Sequence, residues 1–176
     1  MGKLLIGIGT IILLFSVFFF WERYNPQRLS FNINDYSENT TNANSASRPV
    51  GIIIPAINLK LPIIPSEIKN GNWEATTKGV SYLSSSAIPG TKGNSILYGH
   101  DWPNLLGNIT KLKPGQNIQI KFADGTIKNF VINTLSLVSP NQVSILAPSK
   151  TAQITLYTCT GFWDSKRFVV TAILKK

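Results

Sequence analysis

Three side chains capable of acyl transfer stand at the ends of apolar runs in this sequence. Cys159 ends the run 155–159, His100 follows the run 95–98, and Arg167 opens a further apolar run. A cysteine thiolate is a nucleophile, an imidazole can activate it and later return a proton, and a guanidinium can bind a developing oxyanion. Cysteine and histidine each occur once in the 176 residues, so neither assignment has a competing candidate.

The pattern around these residues is similar to that of the sortases, membrane-anchored cysteine transpeptidases of bacterial surfaces. The resemblance rests on the TLxTC motif at 155–159, on Arg167 downstream, and on the turn Tyr98-Gly99-His100. It extends from Val50 to the C-terminus. It implies that Cys159, His100 and Arg167 are the catalytic residues. It also implies that the chain cleaves a C-terminal sorting motif of exported proteins, LPxTG-like or a variant, through a thioacyl-enzyme.

The implied acceptor of the acyl group is an amine, either of a peptidoglycan precursor or of a pilin lysine. Two alternatives stay open at the level of sequence. One is a hydrolytic cysteine peptidase or thioesterase that uses the same residues with water as acceptor. The other is a non-catalytic, membrane-tethered β-domain that binds the cell envelope, with Cys159 buried as a small hydrophobe.

Four further residues are candidates for binding the substrate. Thr158 precedes the nucleophile and is implied by the resemblance to position the substrate. Trp102 follows the histidine and is a candidate wall of an apolar groove. Val143 and Ile145 lie in the segment 139–150, which corresponds by position to the loop that shapes the groove in sortases. Each of the four has a purely structural alternative as strand, rim or loop packing.

Two acidic residues near the site also have alternative interpretations. Asp101 follows His100 and is a candidate to orient the imidazole, although adjacent residues at the end of a strand point apart. Asp164 lies three residues before Arg167 and offers that guanidinium a surface ion pair in place of a functional role.

The N-terminus predicts a membrane anchor. Residues 4–21 carry no charge and, at about 1.5 Å per residue, just span a hydrocarbon core. The flanking residues lack the small-residue pattern of a cleaved secretory signal. We therefore expect a signal-anchor at 1–24, a flexible linker at 25–49, and a catalytic domain at 50–176. The short N-terminal flank and the resemblance favour a single-pass protein of the cell membrane with its catalytic domain outside the cytoplasm.

Composition narrows the partners and cofactors. The net charge is +9, but no run of Lys and Arg exceeds two residues, so nucleic acid is not an expected partner. A single cysteine excludes an intramolecular disulfide. With one His, one Cys and scattered carboxylates, neither a zinc nor a calcium site is expected, and no cofactor is predicted.

The domain is expected to be mainly β. Short apolar runs alternate with Gly and Pro turns, and Asp124-Gly125 predicts a hairpin between the runs 116–122 and 126–138. Further strands are expected at 51–57, 58–64, 94–98, 152–159 and 167–174, with single helical turns at 104–110 and 140–146. The resemblance implies a closed β-barrel of about eight strands with a few short helices.

Overall fold

The chain folds into one apolar helix and a closed barrel of eight strands. The computed structural model describes residues 2–32, 48–69 and 71–175. The elements are α1 (Gly2–Arg23), β1 (Pro49–Ile54), β2 (Leu59–Ser66), β3 (Ile68–Lys69), β4 (Asn72–Trp73), β5 (Val80–Leu83), β6 (Gly93–Tyr98), β7 (Asn117–Phe122), β8 (Ile127–Val138), β9 (Ala152–Thr160) and β10 (Lys166–Leu174). The strand order around the barrel is β1-β2-β5-β6-β9-β10-β8-β7, and β3 and β4 form a separate two-stranded sheet.

This architecture confirms the expected mainly-β barrel of about eight strands with few helices. The hairpin β7–β8 turns at Asp124-Gly125, where Gly125 has the positive φ that such a turn needs. The helical turns are short 3-10 segments, among them Gly107–Lys111 and Val143–Leu146. The strand β5 was not expected, because the sequence around it is polar and its four residues are too few to show a period.

Alternation along the strands separates two apolar clusters. Every second side chain along a strand points into the barrel interior, as Leu97 does on β6 and Leu156 does on β9. The intervening side chains lie on the outer face, where Tyr98 and Tyr157 stack with ring centroids 5.5 Å apart. The outer cluster comprises Leu29, Phe31, Trp73, Leu83, Ile96, Tyr98, Val138, Leu146, Tyr157, Cys159 and Val169.

Part of the predicted linker belongs to this outer cluster. Residues 26–29 form a 3-10 turn, and Leu29 and Phe31 are 0% and 2% exposed against the barrel. The tyrosine hydroxyl of Tyr157 donates to the carbonyl of Leu29 at 3.1 Å. Residues 26–31 of the tether expected at 25–49 thus pack on the barrel in this structure. Two apolar side chains in a polar stretch are enough to dock it, since burying each contributes roughly 1.5–3 kcal/mol. The remainder of that linker, 33–47, lies outside the described residues.

The helix α1 matches the predicted anchor by length and composition. Its window Gly2–Glu22 has a mean hydropathy of 2.5, and none of it is buried against the barrel. It is a candidate membrane span, and the aromatic Tyr24 follows directly after it.

Candidate active site

Three neighbouring strands bring His100, Cys159 and Arg167 into one row. In the antiparallel pair β9–β10, Arg167 lies directly opposite Cys159. In the parallel pair β6–β9, Tyr98 lies beside Tyr157, so the chain beyond β6 carries His100 to the level of Cys159. Residues in register on adjacent strands share a face. His100, Cys159 and Arg167 are each two residues from Tyr98, Tyr157 and Val169, which belong to the outer cluster, so all three side chains lie on the outer face.

The turn after β6 holds the histidine. The amide of Gly99 donates to Tyr157 O at 3.3 Å, and the Thr158 hydroxyl donates to Gly99 O at 2.7 Å. The amide of Leu106 donates to His100 O at 3.0 Å, which ties the following loop back onto the turn. The imidazole stacks on the Trp102 indole with ring centroids 4.6 Å apart. The position of the ring is therefore set by backbone hydrogen bonds on one side and an aromatic face on the other.

Asp101 lines the same cavity as His100 but does not orient it by hydrogen bonding. Among the described residues, no hydrogen bond joins the Asp101 carboxylate to the imidazole. Burial lowers the pKa of His100 below its ordinary value, and the nearby Asp101 charge opposes this effect while Arg28 adds to it. Because this pKa lies below neutral pH, the His100 imidazole is mainly neutral at pH 7.

Cys159 is a protonated thiol in this arrangement. It is only 3% exposed, and its Sγ donates to the carbonyl oxygen of Arg28 at 2.7 Å. Burial raises the pKa of the thiol to about 12, although the guanidinium of Arg167 pulls it down. A thiol with such a pKa is a poor nucleophile at pH 7. Formation of a reactive thiolate therefore requires either that the site opens or that the thiol passes its proton to a neighbouring base.

Arg167 is buried and held by backbone carbonyls. Its side chain is 3% exposed, and Nη1 donates to Asp164 O at 2.8 Å and to Lys166 O at 3.0 Å. Nη2 donates to Ser30 O at 2.8 Å, and within the described chain Nε has no partner. The ion pair with the Asp164 carboxylate that the sequence offered as an alternative does not form. Arg167 contacts only the main-chain oxygen of that residue.

The Asp164 carboxylate is paired with a residue that sequence reasoning missed. Arg28 Nε lies 2.5 Å from Asp164 Oδ2, and the two side chains are 24% and 13% exposed. Burial raises the pKa of Asp164, the Asp101 charge adds to this, and the Arg28 and Arg167 charges oppose it. No local signal marks Arg28, because it lies in a polar stretch more than a hundred residues away from its partner.

The loop that carries Asp164 is strained. Trp163 and Asp164 both have φ of +53°, a left-handed conformation that costs a non-glycine residue on the order of 1–3 kcal/mol. Two turn hydrogen bonds, Asp164 N to Gly161 O and Ser165 N to Phe162 O, hold this geometry. The loop thereby directs a carboxylate inward while Phe162 remains 84% exposed.

These groups enclose one cavity of about 250 Å³ beside the thiol. Its lining consists of Arg28, His100, Asp101, Trp102, Pro103, Cys159 and Asp164. We call residues 25–31 the occluding segment, because their backbone oxygens cap both Cys159 and Arg167. The cavity is what remains of the site beneath this segment.

The four predicted substrate-binding residues take different places. Trp102 lines the cavity. Thr158 lies on the inner face of β9, opposite in parity to Cys159, and its hydroxyl is bound to Gly99 O. Val143 is 36% exposed and Ile145 packs against the outer cluster, and neither lines the cavity. The structure thus brings Trp102 to the site, while Thr158 binds the turn before His100 and Val143 and Ile145 lie outside the cavity.

The protein is of the class of closed β-barrels that carry Cys, His and Arg in one row on the outer face, and comparison with known proteins specifies the family. The family model of the sortase domain matches residues 52–175. The chain belongs to the sortase family.

Curated relatives include sortase A of Bacillus anthracis, 28% identical over 123 residues, and sortase A of Listeria monocytogenes, 29% identical over 129 residues. These alignments cover 68% and 71% of this chain and 56% and 55% of the relatives. The chain therefore spans little more than half the length of the curated relatives it matches.

Solved structures of the family superpose on the barrel. A lid mutant of sortase A from Corynebacterium diphtheriae is 28% identical, with a TM-score of 0.63, and the match covers 78% of this chain and 75% of that one. Sortase C1 of GBS Pilus Island 1 is 25% identical, with a TM-score of 0.63 and coverage of 72% and 64%.

Proposed function

We propose that this chain is a cysteine transpeptidase anchored in the cell membrane, which acts on a C-terminal sorting motif of exported proteins. The observation that carries the proposal is the row of His100, Cys159 and Arg167 on three hydrogen-bonded strands. Membership of the sortase family and the apolar helix α1 support it.

In the first half of the proposed reaction, Cys159 passes its proton to His100 and attacks a backbone carbonyl of the sorting motif. The guanidinium of Arg167 stabilises the oxyanion. The available donors are its Nε, which has no partner among the described residues, and its Nη2, which is now bound to Ser30 O. When the tetrahedral intermediate collapses, the C–N bond breaks and His100 returns the proton to the leaving amine. The product is a thioacyl-enzyme with a neutral imidazole.

In the second half, an amine such as that of a peptidoglycan precursor or a pilin lysine attacks the thioester. The C–N bond forms, the C–S bond breaks, and the proton lost by the amine passes to His100. The departing thiolate then takes this proton back from His100, which regenerates the thiol and the neutral imidazole and completes transfer of the acyl group without net consumption of water.

The test incubates the full chain in detergent micelles with an LPxTG-like peptide and a primary amine, and identifies products by mass spectrometry. We expect an amine-capped product, and we expect none from Cys159→Ser. Arg167→Lys keeps the charge but loses the planar fork, so thioacyl formation should fall by roughly a hundredfold or more. The matched control Lys166→Arg changes an exposed neighbour and should stay within about twofold.

The outcomes distinguish the remaining functions. Cleavage with no capping by any amine tried would establish the hydrolytic peptidase instead. No thioacyl adduct from a panel of related motifs, in the wild type and in a variant that frees Cys159 for alkylation, would favour the non-catalytic binding domain.

A further inference from the structure

The Asp164 carboxylate is placed in the active-site cavity with no established use. It shares that cavity with the nucleophile and the histidine, yet it contacts neither by hydrogen bond in the described chain. It is largely withdrawn from water, and a buried carboxylate is costly unless it has a cationic partner. In the closed molecule that partner is the guanidinium of Arg28, which comes from outside the barrel.

Substrate entry removes this partner. The carbonyls of Arg28 and Ser30 occupy the donors of Cys159 and Arg167, so a sorting peptide that reaches those donors displaces the occluding segment. Arg28 then leaves with its segment. The carboxylate then lacks its guanidinium partner and still lines the cavity that Cys159 lines.

We propose that Asp164 is the cation subsite for the acceptor amine of the second half-reaction, and that Arg28 fills this subsite in the closed state. This inference rests on the proposed function. An alkylamine arrives as an ammonium ion at neutral pH, and the cavity offers it a carboxylate at Asp164, a second carboxylate at Asp101 and the indole of Trp102 against its carbon stem. A primary ammonium on a flexible stem, such as a lysine side chain, matches this lining.

The location favours the acceptor amine over a basic residue of the sorting peptide. The peptide backbone is assigned to the donors of Cys159 and Arg167, whereas Asp164 lines the cavity that also contains the His100 ring. The bound ammonium first releases one proton to water. The resulting neutral amine passes a second proton to that ring as it bonds to the carbon attached to Cys159, whose sulfur leaves. A carboxylate lining this cavity holds the ammonium within reach of both.

The experiment is a double-mutant cycle on the full chain in detergent micelles: wild type, Arg28→Ala, Asp164→Asn and the double variant. Each is acylated with one uncharged LPxTG-like peptide, and the ratio of amine-capped to hydrolysed product is measured against acceptor concentration. This ratio does not depend on the rate of acylation. The acceptors are Nα-acetyl-lysine amide, which is an ammonium ion at pH 7.5, and hydroxylamine, which is mostly neutral there.

Arg28→Ala removes an intramolecular competitor for Asp164. We therefore expect it to lower the concentration of Nα-acetyl-lysine amide at which the ratio of capped to hydrolysed product is half-maximal. Adding Asp164→Asn should raise that concentration by about tenfold, as for loss of a charge-assisted contact. In the Asp164→Asn background, Arg28→Ala should leave that half-maximal concentration unchanged. The hydroxylamine ratio should change less than about twofold across the cycle, since no cation binds. Asp124→Asn, which removes a carboxylate from the β7–β8 turn, is the matched control.

Equal changes for both acceptors would overturn the proposal, because they would place Asp164 in the chemistry or the structure of the site. No change for either would show that Asp164 serves only to hold Arg28. An effect of Asp164→Asn on acylation by a peptide with a lysine added beside the motif, without an effect on the capping ratio, would assign the subsite to the sorting peptide. Absence of any thioacyl-enzyme would overturn the proposed function itself, and this inference with it.

Discussion

At the scale of single residues, two carboxylates have opposite effects on stability: Asp164 in the active-site cavity and Asp124 in the β7–β8 turn. Burial raises the pKa of Asp164 above its ordinary value, so the folded protein binds that proton more tightly than the unfolded chain does. The ionised form of Asp164 therefore opposes folding at neutral pH. Hydrogen bonds from Thr126 lower the pKa of Asp124, so its ionised form favours folding.

Asp164→Asn should therefore leave the melting temperature at pH 7 unchanged or raise it. The gap from wild type should close as the pH falls below about 4, where the carboxylate is protonated in both states. Asp124→Asn should lower the melting temperature at pH 7, and this effect should also vanish in acid. Thermal melts of the full chain from pH 3 to 8, followed by circular dichroism, test both signs. A clear loss of stability in Asp164→Asn at pH 7 would mean that the Arg28 ion pair outweighs the burial of the carboxylate.

At the scale of elements, the loop after β6 determines where the histidine lies. In this loop Gly107 packs against the backbone of residues 101 and 102. A Cβ added to Gly107 would lie 2.3 Å from Asp101 O and 2.9 Å from Trp102 O. Both contacts are with backbone, which cannot rotate away. At Gly51 on β1, by contrast, the nearest atoms to an added Cβ are 3.7 Å away, which is an ordinary contact.

Gly107→Ala is expected to cost about 1–3 kcal/mol of stability, as overpacking does, and to displace the turn that holds His100. Thioacyl formation should fall with it, beyond what the loss of folded protein explains. Gly51→Ala should change neither stability nor acylation appreciably. Chemical denaturation and acylation rates measured on the two variants together check this expectation. If Gly107→Ala reduced stability with full activity per folded molecule, the loop would not be what positions the histidine.

At the scale of the whole molecule, the occluding segment connects the apolar helix α1 to Cys159 and Arg167. Tyr24 packs edge-on against Trp102 at 5.1 Å, Arg28 pairs with Asp164, and Leu29 and Phe31 dock on the barrel. These contacts keep Cys159 buried and protonated. Opening of the segment should lower the pKa of the thiol, because its burial is the largest cause of the upward shift.

Arg28→Ala should accordingly increase the rate of Cys159 alkylation by iodoacetamide at pH 7.5 by roughly tenfold, since it weakens closure by one charge-assisted contact. The pH at which the rate levels off should also move down from the value near 12 expected of the closed site. Arg48→Ala, at an exposed arginine just before β1, serves as the control and should leave the rate unchanged. Equal rates in the wild type and Arg28→Ala would show that the ion pair does not hold the segment closed.

The sequence alone predicted the candidate reactive residues and an apolar N-terminal helix, and it identified most of the strands and, by resemblance, the family and its barrel. These follow from residue type and from periods of a few residues, which are local properties of the chain. Only the tertiary structure decided that His100, Cys159 and Arg167 form a row, because that depends on the register of three strands. It also decided that Thr158, Val143 and Ile145 lie away from the cavity, and that Arg28 and Ser30 reach over 131 and 137 positions to Cys159 and Arg167. Such contacts leave no periodic trace in the sequence, because they arise when two buried apolar side chains dock an otherwise polar segment.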